Sequence, residues 1–225
     1  MSIPEPIFGG YLPKVIYPLE WDRLIHVASV SGCLSDGPSP IEGRLAYWQF
    51  NRARFYHTEE MARAVLPTEE DADRGDSWVH NAVCGEDPAV AMFGYWIYPL
   101  LFDQPDGPRR IDLNAMFDPN IAPLPAEPPI PAWKVLGYDA VAFENDHGCW
   151  GCSPLTCNGY VTDEDGPRPV NRYGLLRTPE AAFEAARLFQ AEQPEPGTYL
   201  VFRVEVPPDS PLLSLEPGKA TARPP

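Results

Sequence analysis

The sequence has few lysines, no long apolar run and little positive charge of any kind. Lys14, Lys134 and Lys219 are its only lysines, and 17 basic residues stand against 32 acidic ones, which gives a net charge of −15. A negative surface repels phosphate backbones, so we expect no nucleic-acid partner. The apolar run Val90–Phe102 is too short to cross a bilayer, which needs about 18 apolar residues, so we expect no membrane segment.

Signals for export and for well-known catalytic chemistries are also missing. The first ten residues, MSIPEPIFGG, lack the basic and apolar regions of a secretory signal, so we expect a cytoplasmic, reducing compartment. The sequence contains no G-x-x-x-x-G-K-[ST], G-x-G-x-x-G, H-E-x-x-H or G-x-S-x-G motif. We therefore lean towards a protein that is not an enzyme.

Proline and the aromatic residues indicate how the chain folds. The 10 Tyr, 10 Phe and 6 Trp among 225 residues exclude wholesale disorder, while 29 prolines favour short elements joined by Pro-rich, ordered loops. Six prolines fall within residues 119–131, which predicts an extended connector. We thus expect an N-terminal α+β lobe (1–118), this connector, a C-terminal α+β lobe with the cysteine cluster (132–208) and a Pro-rich tail (209–225).

Each lobe contains a similar succession of patterns, which we interpret as two repeats of one strand–helix–strand unit, with chance similarity as the alternative. Thr58 and Thr178 are natural helix N-caps, and acidic residues follow each of them. The predicted fold class is α+β, a mixed or antiparallel sheet with two main helices. The helices are expected at Thr58–Leu66 and Thr178–Phe189, and the strands at Arg23–Val30, Arg54–His57, Val90–Pro99, Val135–Phe143, Tyr173–Leu176 and Thr198–Val206.

Two of these elements carry a clear pattern of inward-facing positions. The last strand alternates, which places Leu200, Phe202, Val204 and Val206 on one face. On the second helix the apolar stripe is expected to face the core, and it consists of Ala182, Phe183, Ala186 and Phe189.

Cysteine is concentrated in one segment, HGCWGCSPLTCN, at residues 147–158. Cys149 and Cys152 form a C-x-x-C pair, and Cys157 and His147 complete a set that could hold zinc, with Cys33 as a distant ligand. The other interpretation is metal-free, buried thiols that fill a tight turn, and it is the one we prefer. No basic residue lies between 135 and 167, so thiolate chemistry at a redox pair or nucleophile is disfavoured.

Three scattered residues offer an enzymatic alternative. His26 on an early strand, Tyr47 or Tyr56 on a middle strand and Glu205 on a late strand follow the order His, Tyr, Glu. This order resembles that of ADP-ribosyltransferases. The resemblance implies NAD as the substrate, with the tyrosine stacked on nicotinamide and Glu205 oriented towards a ribose hydroxyl. A metal-assisted activity at Cys149, Cys152 and Cys157 is the other enzymatic hypothesis.

Acidic residues are densest between 59 and 87, where Glu69, Glu70, Asp71 and Asp73 form the core of the run. Such a run is either a solubilising surface or a surface that attracts a basic protein. For such a run taken alone we prefer the first. For the whole chain, the net charge, the missing catalytic motifs and the Pro-rich composition lead us to expect a cytoplasmic binding protein with a basic protein partner, in the manner of inhibitors and immunity proteins. Apart from zinc, no cofactor is indicated.

Overall fold

The computed structural model describes most of both lobes and a part of the connector. The described residues are 3–19, 24–27, 50–66, 90–102, 107–124, 128–129, 131–144, 149–151, 153, 170–192 and 197–214. Cys33, Tyr47, the acidic residues 67–89, His147, Cys152 and Cys157 lie outside this part of the chain. The predictions made for them therefore stay predictions.

A six-stranded antiparallel sheet contains strands from both halves of the chain. Its strand order is β2-β1-β3-β8-β6-β7, and β4 with β5 forms a separate two-stranded ribbon. Strands from residues 1–118, the predicted first lobe, meet strands from residues 132–208, the predicted second lobe, where β3 pairs with β8. The strands are β1 (Ile7–Leu19), β2 (Leu24–Val27), β3 (Val90–Ile97), β4 (Leu100–Leu101), β5 (Arg109–Arg110), β6 (Lys134–Glu144), β7 (Cys149–Trp150) and β8 (Thr198–Val206).

Three α-helices are found among the described residues, so the α+β class is confirmed. They are α1 (Glu59–Arg63), α2 (Leu113–Met116) and α3 (Pro179–Glu192). The predicted N-caps act as such, because the Thr58 hydroxyl accepts from the Met61 N–H and the Thr178 hydroxyl accepts from the Ala181 N–H. None of the helices in the described ranges is long and apolar enough to cross a membrane.

The longest strand, β1, was not predicted from the sequence, because it contains Pro13 and Pro18. Within the described residues, each proline lies where the strand pairs on one side: the stretch around Pro13 pairs with β3, and the stretch around Pro18 pairs with β2. A proline can occupy such a position without breaking a ladder if its nitrogen points away from the paired neighbour. Because β2 and β3 pair with different stretches of β1, the strand can contain both prolines.

The segments Arg54–His57 and Tyr173–Leu176 were predicted to be strands, and that was wrong. Each is part of a tight loop that meets the sheet at a single bridge, at Tyr56 in one loop and at Leu176 in the other. We call the two loops that contain these segments the Asn51 loop (residues 50–56) and the Asn171 loop (residues 170–176). The apolar residues that suggested strands are buried because the loops are folded onto the core.

The Asn51 side chain organises its loop. Its Oδ1 accepts from the backbone N–H groups of Ala53 and Phe55, at 3.0 and 3.2 Å, and its Nδ2 donates to the Gly9 carbonyl at 2.7 Å. Gly9 lies at a register shift in β1, next to Gly10, whose φ is +136°. The amide thus ties the loop to a bulge in the sheet.

The Asn171 side chain makes the corresponding contacts in the second lobe. Its Oδ1 accepts from the N–H groups of Tyr173 and Leu175, at 2.9 and 3.3 Å, and its Nδ2 donates to the Leu136 carbonyl at 2.6 Å. Leu136 also lies at a register shift, next to Gly137, whose φ is +157°. The same combination of loop, bulge and glycine therefore occurs at two places on the sheet.

An arginine follows each asparagine and holds a later segment of its lobe. The Arg52 guanidinium donates to the carbonyls of Asn114 and Ile121, at 2.8 and 3.0 Å, so it anchors α2 and the start of the connector. Arg172 donates to the Leu213 carbonyl at 3.0 Å, in the 3-10 helix Pro211–Ser214. These charge-assisted contacts close each lobe after its last sheet strand.

Side chains on the two faces of β8 enter different parts of the core, as the alternation predicted. Leu200, Phe202, Val204 and Val206 are buried in the larger cluster, together with Tyr95 and Trp150. Tyr199 and Val201 lie on the opposite face, against Ala182 and Ala186 of α3. The predicted stripe of α3 is corrected in one respect: Phe183 and Phe189 are only half-buried, and the two alanines are the residues that face the sheet.

Candidate functional site

The three residues of the ADP-ribosyltransferase resemblance lie apart. His26 is on β2 and Glu205 is on β8, with β1 and β3 between those strands, which corresponds to about 14 Å at the usual strand spacing. Tyr56 is fully buried, and its ring packs on Phe50. No surface of Tyr56 is therefore exposed for stacking on a nicotinamide.

Glu205 belongs to a polar cluster at the middle of the sheet. One carboxylate oxygen accepts from Trp96 Nε1 at 2.7 Å, and the other lies 2.9 Å from Arg203 Nε. The Arg203 guanidinium carbon stands 4.2 Å from the centroid of the Trp96 ring. Burial raises the pKa of the Glu205 carboxyl, while Arg203 and the Trp96 N–H act in the opposite direction. The Glu205 carboxylate thus accepts a hydrogen bond from Trp96 and forms an ion pair with Arg203.

The raised pKa of Glu205 has a measurable consequence for stability. Because the folded state holds this proton more tightly than the unfolded chain, the contribution of Glu205 is largest below the ordinary glutamate pKa of about 4.3 and falls as the pH rises through the folded-state pKa. Urea unfolding of the wild type and Glu205→Gln between about pH 4 and 7 should show the wild type losing stability relative to the variant. The opposite trend would mean that attraction to Arg203 outweighs desolvation.

Part of the cysteine segment is packed into the core. Cys149 is in β7, opposite Glu144. The buried Trp150 donates from Nε1 to the Ala53 carbonyl at 2.8 Å and so links this segment to the Asn51 loop. Ser153 is fully buried, and its hydroxyl donates to Asp139 Oδ1 at 2.5 Å. Within the described residues no group of three metal-binding side chains is found, and the other predicted zinc ligands lie outside them.

The helices α1 and α3 lie on the same face of the sheet. Tyr11 pairs with Gly94 and Gly94 pairs with Glu205, so the Tyr11 side chain shares the face of β8 on which α3 packs. Burial raises the pKa of Tyr11 to about 12, and the charge of Glu59 on α1 adds to this shift. The charge of Glu59 acts on Tyr11, and α1 packs against β1, so we infer that α1 lies on the α3 side of the sheet, although its buried Ala62 joins the larger core cluster. We call this side the helical face.

The helical face exposes carboxylates together with two large apolar side chains. Met61 of α1 is 36% exposed and Leu188 of α3 is 41% exposed, whereas most large apolar residues of the described chain are buried. The glutamates on these helices are Glu59, Glu60, Glu180, Glu184 and Glu192. Glu69, Glu70, Asp71 and Asp73, which the sequence suggested for partner binding, follow α1 in the chain and lie outside the described residues.

A cleft of about 320 Å³ lies beside α3. Its apolar walls include Phe102 and Phe183, whose rings are stacked with their centroids 6.0 Å apart. Its charged groups are Glu180, Glu184 and Arg187. The size and the apolar lining with a few polar groups are typical of a site for a small ligand or a single side chain.

Tyr98 lies next to the cleft, among charged groups of both signs. Its ring meets Phe183, which lines the cleft, edge-on at 5.1 Å. Burial and the neighbouring Tyr138 raise the pKa of Tyr98 to about 12; the charges of Glu5 and Glu180 also act to raise it, and the charge of Arg203 acts to lower it. Glu180 lines the cleft as well, so one of these carboxylates belongs to both sites.

The cleft was not predicted from the sequence. The only local signal was Phe183, a large aromatic residue at the margin of an otherwise alanine-rich stripe. Phe102 and Ile3 also line the cleft, and both are distant from α3 in the chain. Comparisons with protein families, with curated proteins and with solved structures found no match for this chain.

Proposed function

We propose that the protein binds a basic protein through its helical face. The observation that carries this proposal is the coexistence, on one face, of exposed glutamates with the exposed apolar side chains of Met61 and Leu188. Protein interfaces combine apolar anchors with a polar rim, and a net charge of −15 steers cationic partners towards such a surface.

The acidic run after α1 extends this surface in the proposal. Glu69, Glu70, Asp71 and Asp73 follow α1 in the chain and are assigned to partner binding. Their contribution would be chiefly to the rate of association, because exposed charges steer encounters over roughly a Debye length. An inhibitor or an immunity protein for a basic toxin would use its surface in this way, in the cytoplasm and without a cofactor.

Charge reversal tests the proposal. The partner would be captured on the tagged wild type, identified and purified, and its association rate measured for two charge-matched variants. Glu69→Lys with Glu70→Lys should slow association at least about tenfold at low salt, whereas Asp118→Lys with Asp209→Lys should have a smaller effect. Both variants should unfold at nearly the wild-type urea concentration, because exposed charges contribute little to stability. Equal rates for the two variants would contradict a role for the acidic run.

We further propose that the two lobes are copies of one unit. The paired Asn loops, the bulges with positive-φ glycines and the arginines that close each lobe support this proposal. So does the register: Gly10 pairs with Tyr95, Gly137 pairs with Val204, and Tyr95 and Val204 pair with each other. Equivalent positions therefore meet at the middle of the sheet, as they would on a two-fold axis.

The two proposed copies differ at two places: the polar cluster around Glu205, and the helix α3 with the cleft beside it. Counted from these pairs, Gly94 corresponds to Arg203 and Trp96 corresponds to Glu205, so the polar cluster is built from unlike residues. Among the described residues, the long helix, α3, with the cleft beside it, is in the second lobe. In this proposal both copies keep the loop and bulge of one ancestral unit, and the second copy adds the long helix α3 and the cleft to the helical face.

A further inference from the structure

We propose that the cleft beside α3 binds an arginine side chain presented by the basic partner. This inference rests on the function proposed above and names the group that the site would recognise. It follows from three properties of the cleft: stacked aromatic walls, carboxylates at its mouth and a guanidinium of the chain already bound to one of them.

The aromatic walls suit a flat cationic group. Phe102 is buried and stacks on Phe183 with the ring centroids 6.0 Å apart and an interplanar angle of 27°, so the half-buried Phe183 is the ring that is partly open to the cleft; Tyr98 meets Phe183 edge-on. A guanidinium stacks on aromatic faces, and the three methylene groups of an arginine fill apolar space that a short side chain would leave empty. The cleft of about 320 Å³ provides room for such a side chain.

The carboxylates provide the charge complement. Glu180 and Glu184 are four residues apart on α3 and thus on the same side of the helix. Glu184 is held by Arg187, whose Nε and Nη2 lie 3.1 and 2.5 Å from its two oxygens. Within the described residues Glu180 makes no ion pair. A second guanidinium could pair with Glu180 without displacing Arg187.

Arginine is favoured over lysine by this geometry. A guanidinium can stack on Phe183 and at the same time donate two parallel hydrogen bonds to a carboxylate, whereas an ammonium is a compact point charge that is more strongly hydrated. The Glu184–Arg187 pair shows the two-point contact at the edge of the same cleft.

The test uses the full chain and three small probes: N-acetylarginine amide, N-acetyllysine amide and N-acetylnorleucine amide. Binding is followed by chemical-shift changes of backbone amides. The arginine probe should shift the amides of Phe102, Glu180 and Phe183, and its affinity should exceed that of the lysine probe severalfold. The norleucine probe should not saturate. Equal binding of norleucine would overturn the proposal in favour of a purely apolar site, and shifts elsewhere on the protein would overturn it as well.

Variants on α3 make the test sharper. Glu180→Gln should weaken arginine binding about fivefold or more, whereas Glu192→Gln, on the same helix but outside the cleft, should leave it unchanged. Arg187→Ala should strengthen binding, because it releases Glu184 and removes a competing cation. Unchanged affinity in both Glu180→Gln and Arg187→Ala would overturn the proposal.

These results separate the inference from the proposed function. If the arginine probe binds the cleft but reversal of Glu69 and Glu70 leaves capture of the basic protein unaffected, the cleft is an arginine site and the acidic run has no role in docking. If charge reversal slows association but the probe does not bind, the basic partner docks elsewhere and the cleft proposal fails.

Discussion

Replacing Asn51 with alanine should lower the free energy of unfolding by roughly 3 kcal/mol or more. The side chain is fully buried and satisfies two backbone N–H groups and the Gly9 carbonyl, and each buried group left without a partner costs about 1–3 kcal/mol. Such a loss is a large part of the 5–15 kcal/mol that typically stabilises a domain. Urea unfolding followed by tryptophan fluorescence measures it.

Two matched variants accompany this measurement. Asn120→Ala removes an exposed amide that bonds to Asp118, and it should cost less than about 1 kcal/mol. Asn171→Ala should also be clearly destabilising, but less so than Asn51→Ala, because Asn171 is only half-buried and water can reach some of the groups it leaves. If Asn51→Ala were no worse than Asn120→Ala, the Asn51 loop would not depend on its side chain.

Alanine at Gly10 or at Gly137 should be still more disruptive and should prevent stable folding. A Cβ at Gly10 would lie 2.6 Å from the Tyr56 carbonyl oxygen and 2.7 Å from Phe55 Cβ, and one at Gly137 would lie 2.7 Å from Leu175 Cβ. The neighbouring atoms belong to backbone or to rigid buried groups, so they cannot move aside cheaply. Positive φ adds backbone strain at both glycines.

Gly107→Ala is the control that separates the two effects. Its φ is +118°, but no atom of the described residues lies within 4 Å of the position that a Cβ would take. It therefore carries only the conformational strain, about 1–3 kcal/mol, and should yield folded protein. Soluble yield and circular dichroism rank the three variants. A Gly10→Ala protein as stable as Gly107→Ala would show that the loop can move away from the bulge.

The predictions from sequence held best where the relevant contacts are local. Thr58 and Thr178 cap helices because their hydroxyls bond to N–H groups three residues ahead, within the same segment. Thr198–Val206 is a strand with the bounds that its alternation predicted. Composition likewise predicted a folded chain, the segment patterns predicted an α+β class with a mixed or antiparallel sheet, and the structure has that class with antiparallel pairing.

Predictions were wrong or missing where distant segments decide the outcome. β1 was not predicted; among the described strands, β2 and β3 pair with different stretches of it, so each of its prolines has a paired strand on one side. The segments Arg54–His57 and Tyr173–Leu176 were predicted to be strands because their residues are largely apolar. Their actual form depends on an asparagine that bonds to a bulge far away in the chain, over 42 residues in the case of Asn51.

The sequence by itself determined the fold class, the helix starts, the alternation of β8 and the large negative charge, because each of these follows from composition or from contacts within a few residues. Only the tertiary structure decided the strand order, the shared helical face and the cleft beside α3 that Phe102 and Phe183 line. The physical reason is that the sequence pattern is compatible with several strand pairings and several packing arrangements. The choice among them depends on which distant surfaces bury one another.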